Sequence, residues 1–201
     1  MTHTPTHFLT PSETSLLLRI ARDSLSEFVQ TKQRLELSGY ALTEELRARH
    51  GAFVTLRAAG KLRGCIGHTR NLESLAEAVR DNTINAAARD PRFPPVTTDE
   101  LAAIRIEISA LCPGSTPGLP FIPVENVDEI VLGRDGLYLD HAGSKGGGLL
   151  LPQVPQEQGW NLEAFLEGVC RKAGAEPDAW QRGDSQLYRF SAQVFSEEEA
   201  G

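Results

Sequence analysis

The sequence predicts an α+β protein built on a mainly antiparallel sheet. Segments with the alternating apolar and polar pattern of strands come in hairpins, and an amphipathic helical segment follows each hairpin. This hairpin–helix order occurs twice along the chain. Hairpins separated by helices favour an antiparallel sheet over the parallel sheet that repeated βαβ units form.

The length and the charge of the chain limit its organisation. Its 201 residues are enough for one domain, with two small lobes as the alternative. Hydrophobic residues make up 40% and charged residues 23%, which excludes collagen-like and wholly disordered chains. We expect a single domain over residues 1–201, with a flexible N-terminal tail at 1–9 and an acidic C-terminal tail at 196–201. The net charge of -7 argues against nucleic acid bound through a globally basic surface.

The hydropathy pattern and the cysteine spacing give expectations about cellular location and cofactors. Because no apolar run approaches the ~20 residues that cross a bilayer, we expect no membrane association. The N-terminus lacks the basic-then-apolar order of a signal peptide, so a cytoplasmic location is expected. Cys65, Cys112 and Cys170 are widely spaced, without a Cys-x-x-Cys pair. We therefore expect no disulfide framework, no metal and no cofactor.

Local sequence patterns predict a first helix and a β-hairpin after it. Thr10 and Glu13 form a capping box and Pro11 stands at the first helical position, so a helix begins here. Residues 52–56 (AFVTL) and 62–68 (LRGCIGH) are predicted strands of one hairpin. They lie on either side of a short turn with a glycine.

The middle of the chain is predicted to form a helix, a proline-rich loop and a strand. Asn71 is expected to cap the next helix. Residues 90–95 (DPRFPP) cannot be helical because their prolines restrict the backbone. Thr97 and Glu100 form a second capping box, and residues 104–111 (IRIEISAL) alternate as a strand does.

The second half repeats the order of the first. Residues 136–141 and 148–151 are predicted to form a hairpin around a glycine-rich turn. Residues 161–172 form an amphipathic helix, with Gly174 as its stop signal. A final alternating strand is expected at 185–195.

The segment LRGCIGH is the first candidate site. On a strand, Arg63, Cys65 and Gly67 share one face. The glycines Gly64 and Gly67 weaken a strand and indicate a bulge or a close backbone approach. Residues 57–70 hold four basic residues and no acidic one, a field that would lower the pKa of Cys65 and attract an anion. The alternative is a small cysteine buried in a tight hairpin.

Two further candidates lie downstream. Arg89, Asp90 and Arg92 stand in or beside a proline-fixed loop that presents charges at low entropic cost. The alternative is a surface turn in which Asp90 pairs with a neighbouring arginine. Glu107 lies on the polar side of a strand and could act as a base or orient an arginine. A solvated strand face explains it equally well.

Four ordered segments carry a family resemblance: LRGCIG, RDPRFPP, EISAL and GLLLPQV, the last followed by Trp160 and CRKAG. Together they resemble the AMMECR domain family, called AmmeMemoRadiSam system protein A in bacteria and archaea. The resemblance covers residues 12–195. It implies an α+β fold with duplicated strand–helix units around one curved, barrel-like sheet, and as partners a Memo-like protein and a radical S-adenosylmethionine enzyme. Many relatives have a small hydroxyl residue where this chain has His68, which argues against catalysis by His68.

These observations lead to the hypothesis of an enzyme, or an enzyme subunit, for a small anionic molecule or a peptide end. Cys65 would be the nucleophile, kept ionised by Arg63, and Glu107 an acid–base or orienting group. The expected substrate-binding residues are Arg63, Gly64, Gly67, Arg89, Asp90 and Arg92. The alternative is a non-catalytic ligand-binding or scaffold module with an anion-binding turn at Arg63 and Gly64. An RNA-binding regulator is a third possibility that the net charge disfavours.

Overall fold

The computed structural model describes residues 7–69, 72–114, 119–142 and 147–197. Within these ranges the chain divides into two compact units. The first unit comprises residues 7–111 and 193–197, and the second unit comprises residues 112–192. None of the described helices is long and apolar enough to cross a membrane.

The first unit begins with the predicted capping box. Helix α1 (Pro11–Thr31) starts where the Thr10 hydroxyl accepts a hydrogen bond from the Glu13 N–H and the Glu13 carboxylate accepts one from the Thr10 N–H. Two helices follow, α2 (Glu44–Arg47), which was not predicted, and α3 (Leu75–Ala88). The capping prediction at Thr10 is therefore confirmed.

The start of α3 differs from the expectation. Asn71 lies outside the described residues, and the residue that caps α3 is Ser74. Its hydroxyl accepts from the Glu77 N–H, while the Glu77 carboxylate accepts from the Ser74 N–H. The prediction of Asn71 as the cap is wrong because Ser74 and Glu77 form a complete capping box closer to the apolar run.

The strands of the first unit form the predicted hairpin with a third strand beside it. Strand β1 (Ala52–Ala58) pairs antiparallel with β2 (Lys61–His68) on one side and with β3 (Ile104–Leu111) on the other. The apolar side of these strands packs with α1 and α3. The fully buried side chains of the core between these strands and helices include Leu17, Ile20, Leu25, Val54, Leu56, Leu75, Val79, Ile104, Ile106 and Ile108.

The second unit repeats the hairpin–helix order. Its elements are β4 (Ile122–Pro123), β5 (Asp135–His141), β6 (Gly148–Leu150), α4 (Val154–Gln158), α5 (Leu162–Lys172) and β7 (Ser185–Ser196), the last of which ends in the first unit. Strand β5 pairs antiparallel with β6 and β7, and β4 pairs with β7. The predicted α+β class with a mainly antiparallel sheet is confirmed.

Parts of the predicted tails fall within the described residues. Leu9 is buried, and its N–H donates to Oε1 of Gln193 at 2.9 Å. Near the other end, the carboxylate of Glu197 accepts hydrogen bonds from Arg22. Residues 1–6 and 198–201 lie outside the described ranges.

Gly64 and Gly67 of β2 are needed for close packing. Neither has a positive φ, so conformational freedom is not their role. A Cβ on Gly64 would overlap the carbonyl oxygen of Ala86 in α3, and a Cβ on Gly67 would overlap the ring of Phe53. The expectation of a close approach at these glycines is confirmed.

We expect Gly64→Ala to destabilise the protein by about 1–3 kcal/mol, because the added methyl group forces β2 away from the backbone of α3. The matched control is Gly39→Ala, since an added Cβ at Gly39 meets no atom within 4 Å. Urea denaturation of both variants measures the difference. Equal denaturation midpoints for the two variants would contradict the packing role of Gly64.

Candidate functional site

The loop after α3 holds the backbone of Cys65 from both sides. The Cys65 N–H donates to Oδ2 of Asp90 at 2.9 Å, and Nη2 of Arg92 donates to the Cys65 carbonyl at 3.3 Å. Strand β2 stands at an edge of the sheet, where backbone groups would otherwise lack a partner. We call this arrangement the Asp90–Arg92 clamp. At Cys65 the clamp supplies the two backbone hydrogen bonds that a neighbouring strand would otherwise form.

Asp90 is the buried centre of the clamp. Its exposed fraction is 4%, and its carboxylate also accepts from Nε of Arg92 at 2.9 Å and from the Arg92 backbone N–H at 3.1 Å. The Arg92 side chain, with help from the backbone N–H of Cys65, holds the pKa of Asp90 well below its usual range although burial opposes this. Asp90 pairs with a neighbouring arginine, as one alternative expects. It begins a turn in which the next residues, Pro91 and Arg92, are exposed, although the Asp90 side chain itself is buried.

Cys65 is partly buried, between strand β1 and the loop after α3. Its sulfur accepts a hydrogen bond from Oγ1 of Thr55 at 3.3 Å. Burial raises the pKa of the Cys65 thiol, and the hydrogen bond from Thr55 and the charge of Arg92 only partly offset this. The charges of Asp90 and Glu107 raise it further. The prediction that a positive field lowers the pKa of Cys65 is therefore wrong.

Two of the four basic residues near Cys65, Arg57 and Arg63, are paired with carboxylates that lie far away in the sequence. Arg63 donates from Nε and Nη2 to the two carboxylate oxygens of Glu100, at 2.7 and 3.0 Å. This contact lowers the pKa of Glu100 to about 2. Nε of Arg57 lies 3.9 Å from Oε2 of Glu107. Arg70, the last basic residue of the segment, is outside the described ranges.

Arg63 and Arg92 meet at the ring of Phe93. Their Cζ atoms lie 6.0 and 5.5 Å from the ring centroid. The Arg63 side chain is only 13% exposed, and its third nitrogen donates to the Pro94 carbonyl at 3.0 Å. The Arg92 side chain is 52% exposed, and its Nη1 has no hydrogen-bond partner in the described part of the chain. Arg92 is thus the better placed of the two to meet an anionic ligand.

Thr55, Cys65 and Glu107 stand side by side across three strands, and we call them the polar row. Thr55 of β1 is in register with Cys65 of β2 and with Glu107 of β3. They lie on the side of the strands opposite to the buried isoleucines. The Glu107 side chain is 20% exposed. The row brings a thiol and a carboxylate to either side of one hydroxyl group.

The structure separates Arg89 from the clamp. Arg89 follows the last residue of α3 and is exposed, and it lines a cleft that also contains His68 and Glu73. Nε2 of His68 lies 2.9 Å from Oε1 of Glu73. Of the predicted site residues, Cys65, Asp90 and Arg92 come together. Among the described residues, no group of three or more His, Cys, Asp or Glu side chains could hold a metal ion.

Two residues of the site, Thr55 and Glu100, were not predicted as such from the sequence. Thr55 is the polar residue in the middle of the first predicted strand, and that position was its only signal. Glu100 was assigned to a capping box, and it does accept from the Thr97 N–H and hydroxyl at 2.9 and 3.1 Å. Its bond to Arg63 has no local signal, because 37 positions separate the two residues.

We expect Asp90→Asn to lower the free energy of unfolding at pH 7 by about 2 kcal/mol, because charged hydrogen bonds to Arg92 are lost. The folded pKa of Asp90 is below its unfolded value of 3.8. Its stabilisation is therefore complete above that value and is lost as the pH falls towards the folded pKa. Between about pH 5 and pH 2 the wild type should lose more stability than the variant does.

The control for this comparison is Asp99→Asn, at an exposed position nearby. Urea denaturation at several pH values measures all three proteins. Parallel pH profiles for the wild type and Asp90→Asn would contradict the assignment of Asp90 as a buried charged group.

Comparison with known proteins tests the resemblance that the motifs suggest. The AMMECR1 family model matches residues 18–195. A protein of Methanocella arvoryzae is 42% identical over 189 residues, covering 93% of this chain and 92% of its own. A protein of Methanocaldococcus jannaschii is 40% identical over 195 residues, covering 95% and 93%. The crystal structure of an uncharacterised protein from Pyrococcus horikoshii aligns with a TM-score of 0.82 at 38% identity, over 90% of each chain. Because these matches extend over nearly the whole length, the chain belongs to the AMMECR1 family.

Proposed function

We propose that the protein binds a small anionic molecule or peptide end at a site formed by the polar row and Arg92. One observation carries the proposal: the clamp fixes the backbone of Cys65 while the thiol stays partly exposed near Arg92. Cys112 and Cys170, by contrast, are buried. A site whose groups are held in place before binding loses little entropy when a ligand arrives.

Arg92 supplies the contact for the anionic group. Its Nε and Nη2 are bound to Asp90, so the free Nη1 is held in a fixed direction. The two N–H groups of Nη1 donate to a carboxylate or phosphate oxygen. Because Asp90 neutralises much of the arginine charge, hydrogen bonding rather than net charge selects the ligand.

Cys65 contributes a neutral thiol to the same site. Thr55 already donates a hydrogen bond to its sulfur, so the S–H hydrogen is free to donate to the ligand. The raised pKa keeps this hydrogen in place at pH 7. This arrangement supports binding more directly than it supports a resting thiolate nucleophile.

Nucleophilic catalysis is the second candidate function, and the position of Glu107 favours it. Glu107 stands in the polar row on the other side of Thr55 and is partly exposed. In this second function Glu107 accepts the proton of the Cys65 thiol through the Thr55 hydroxyl, and the sulfur adds to a carbonyl carbon of the ligand, whose C=O π electrons move to the oxygen. When the C=O bond re-forms, the bond to the leaving group breaks, and the leaving group takes the proton from Glu107. Cys65→Ser separates the two functions, since it keeps binding and abolishes turnover.

The proposed partners follow from the family resemblance alone. We propose a cytoplasmic protein that works with a Memo-like protein and a radical S-adenosylmethionine enzyme. Copurification with each partner tests this directly.

We expect iodoacetamide to label Cys65 before Cys112 and Cys170, because only its thiol among the three is partly exposed. Since burial raises the pKa of Cys65, the labelling rate should keep rising from about pH 7 to pH 9. Peptide mass mapping of timed reactions measures both effects. A rate that is already constant at neutral pH would reveal a thiolate and favour catalysis over binding by a neutral thiol.

We expect Arg92→Gln to weaken the binding of acetate, inorganic phosphate and glycylglycine by about tenfold, because a charged hydrogen bond is lost. Arg47→Gln is the control, since Arg47 is exposed and lies in helix α2. Calorimetric titration measures the affinities. Arg92→Lys keeps the positive charge and limits the loss of stability at Asp90. Equal affinities of the wild type, Arg92→Gln, Arg92→Lys and Arg47→Gln, or no binding by the wild type, would contradict the proposal.

A further inference from the structure

We propose a second ligand site, independent of the cysteine-centred one, which binds a small organic anion with an aromatic or apolar body. It occupies a cleft of about 440 Å³ in the first unit. The cleft lies along α3, beside the C-terminal end of α1 and the end of β2, and we call it the Arg89 cleft. Its volume is within the range of known small-molecule sites, roughly 300–1,000 Å³.

The charged side chains of the cleft leave an excess of positive charge. They are Lys32, Arg34, Glu73, Asp81 and Arg89. Both carboxylates are already engaged: Asp81 accepts from Nε of Arg34 at 2.8 Å, and Glu73 lies 2.9 Å from His68. A carboxylate acts only as an acceptor, so Nε2 of His68 is the donor in this pair.

Lys32 and Arg89 remain for a ligand. Neither forms a salt bridge with the residues that the structure describes. Nζ of Lys32 donates to the Val29 carbonyl at 3.1 Å and keeps two further donors. Arg89 is exposed, and its guanidinium group makes no hydrogen bond with the described residues, so all of its N–H donors are available.

The positions of these cations are only partly explained by the fold. Both residues follow the last turn of a helix, where a positive charge is favourable. Lys32 uses that position to bond a carbonyl of the last turn, but Arg89 does not. The guanidinium group of Arg89 therefore serves no hydrogen bond of the fold, and it faces the cleft together with Lys32.

The remaining walls fit an aromatic body. Nζ of Lys32 lies over the ring of Phe28, 5.6 Å from its centroid, so a ligand beside this ring is adjacent to a cation. The side-chain amide of Asn85 makes no hydrogen bond with the described residues and offers a donor and an acceptor. An anionic head at Lys32 and Arg89, with a body on Phe28, satisfies each of these groups.

Phenyl phosphate and benzoate are the probes, with inorganic phosphate and benzyl alcohol as the anion-only and ring-only comparisons. We expect at least one aromatic anion to bind more tightly than either comparison compound, and their ratio distinguishes a phosphate from a carboxylate head. Arg89→Gln should weaken binding of the tighter probe by about tenfold. Arg47→Gln should change it by less than about twofold. Calorimetric titration measures these affinities.

The design separates this site from the cysteine-centred one. Loss of probe binding in Arg92→Gln with full binding in Arg89→Gln would place the probe at the clamp and overturn the proposal. Equal affinity for inorganic phosphate and phenyl phosphate would remove the role of Phe28 and also overturn it. An independent measurement is the modification of Arg89 by phenylglyoxal, mapped by mass spectrometry. The bound probe should protect Arg89 at least about fivefold, and unchanged modification would contradict the site.

Discussion

The buried carboxylate of Asp90 is the constraint on which the candidate site depends. A charge in the interior is tolerated only when it is paired and hydrogen-bonded, and Asp90 obtains both from Arg92 and from the Cys65 N–H. One carboxylate therefore fixes three things together: the path of the proline-containing loop, the direction of the Arg92 guanidinium group and the edge of β2. The position of the thiol follows from these, because its backbone cannot move without breaking the same bonds.

Features encoded by neighbouring residues could be predicted from the sequence. The capping box at Thr10 and the alternation in β3 depend on residues a few positions apart. The capping box forms as predicted, and burial alternates from Ile104 to Ile108, after which Ser109 is buried as well. The close approach at Gly64 was also predictable, since a glycine inside a strand needs a reason. Such signals specify local conformation and which side of an element is buried.

The electrostatics of the site could not be predicted in this way. A segment with four basic residues and no acidic one suggests a positive field, yet Arg63 binds Glu100, which belongs to another part of the chain. Burial of Cys65 has no local signal either, and it is the main cause of the raised pKa. Arg89 and Asp90 are adjacent in sequence but serve different surfaces: Arg89 lines the Arg89 cleft, whereas Asp90 binds the backbone of Cys65. The electric field at Cys65 therefore depends on carboxylates that are distant in the sequence and close in the fold.

The clamp also has a consequence for how the molecule behaves at high concentration. Uncovered backbone groups on an edge strand recruit strands from other molecules, which begins aggregation. At Cys65 those groups are occupied by side chains, and a carboxylate and a guanidinium group cannot propagate a ladder as another strand would. Leu62, on the same strand, is 37% exposed, so β2 has an apolar residue that would favour such pairing. By occupying the backbone groups of Cys65 with two charged side chains, the clamp works against strand pairing at the centre of this edge.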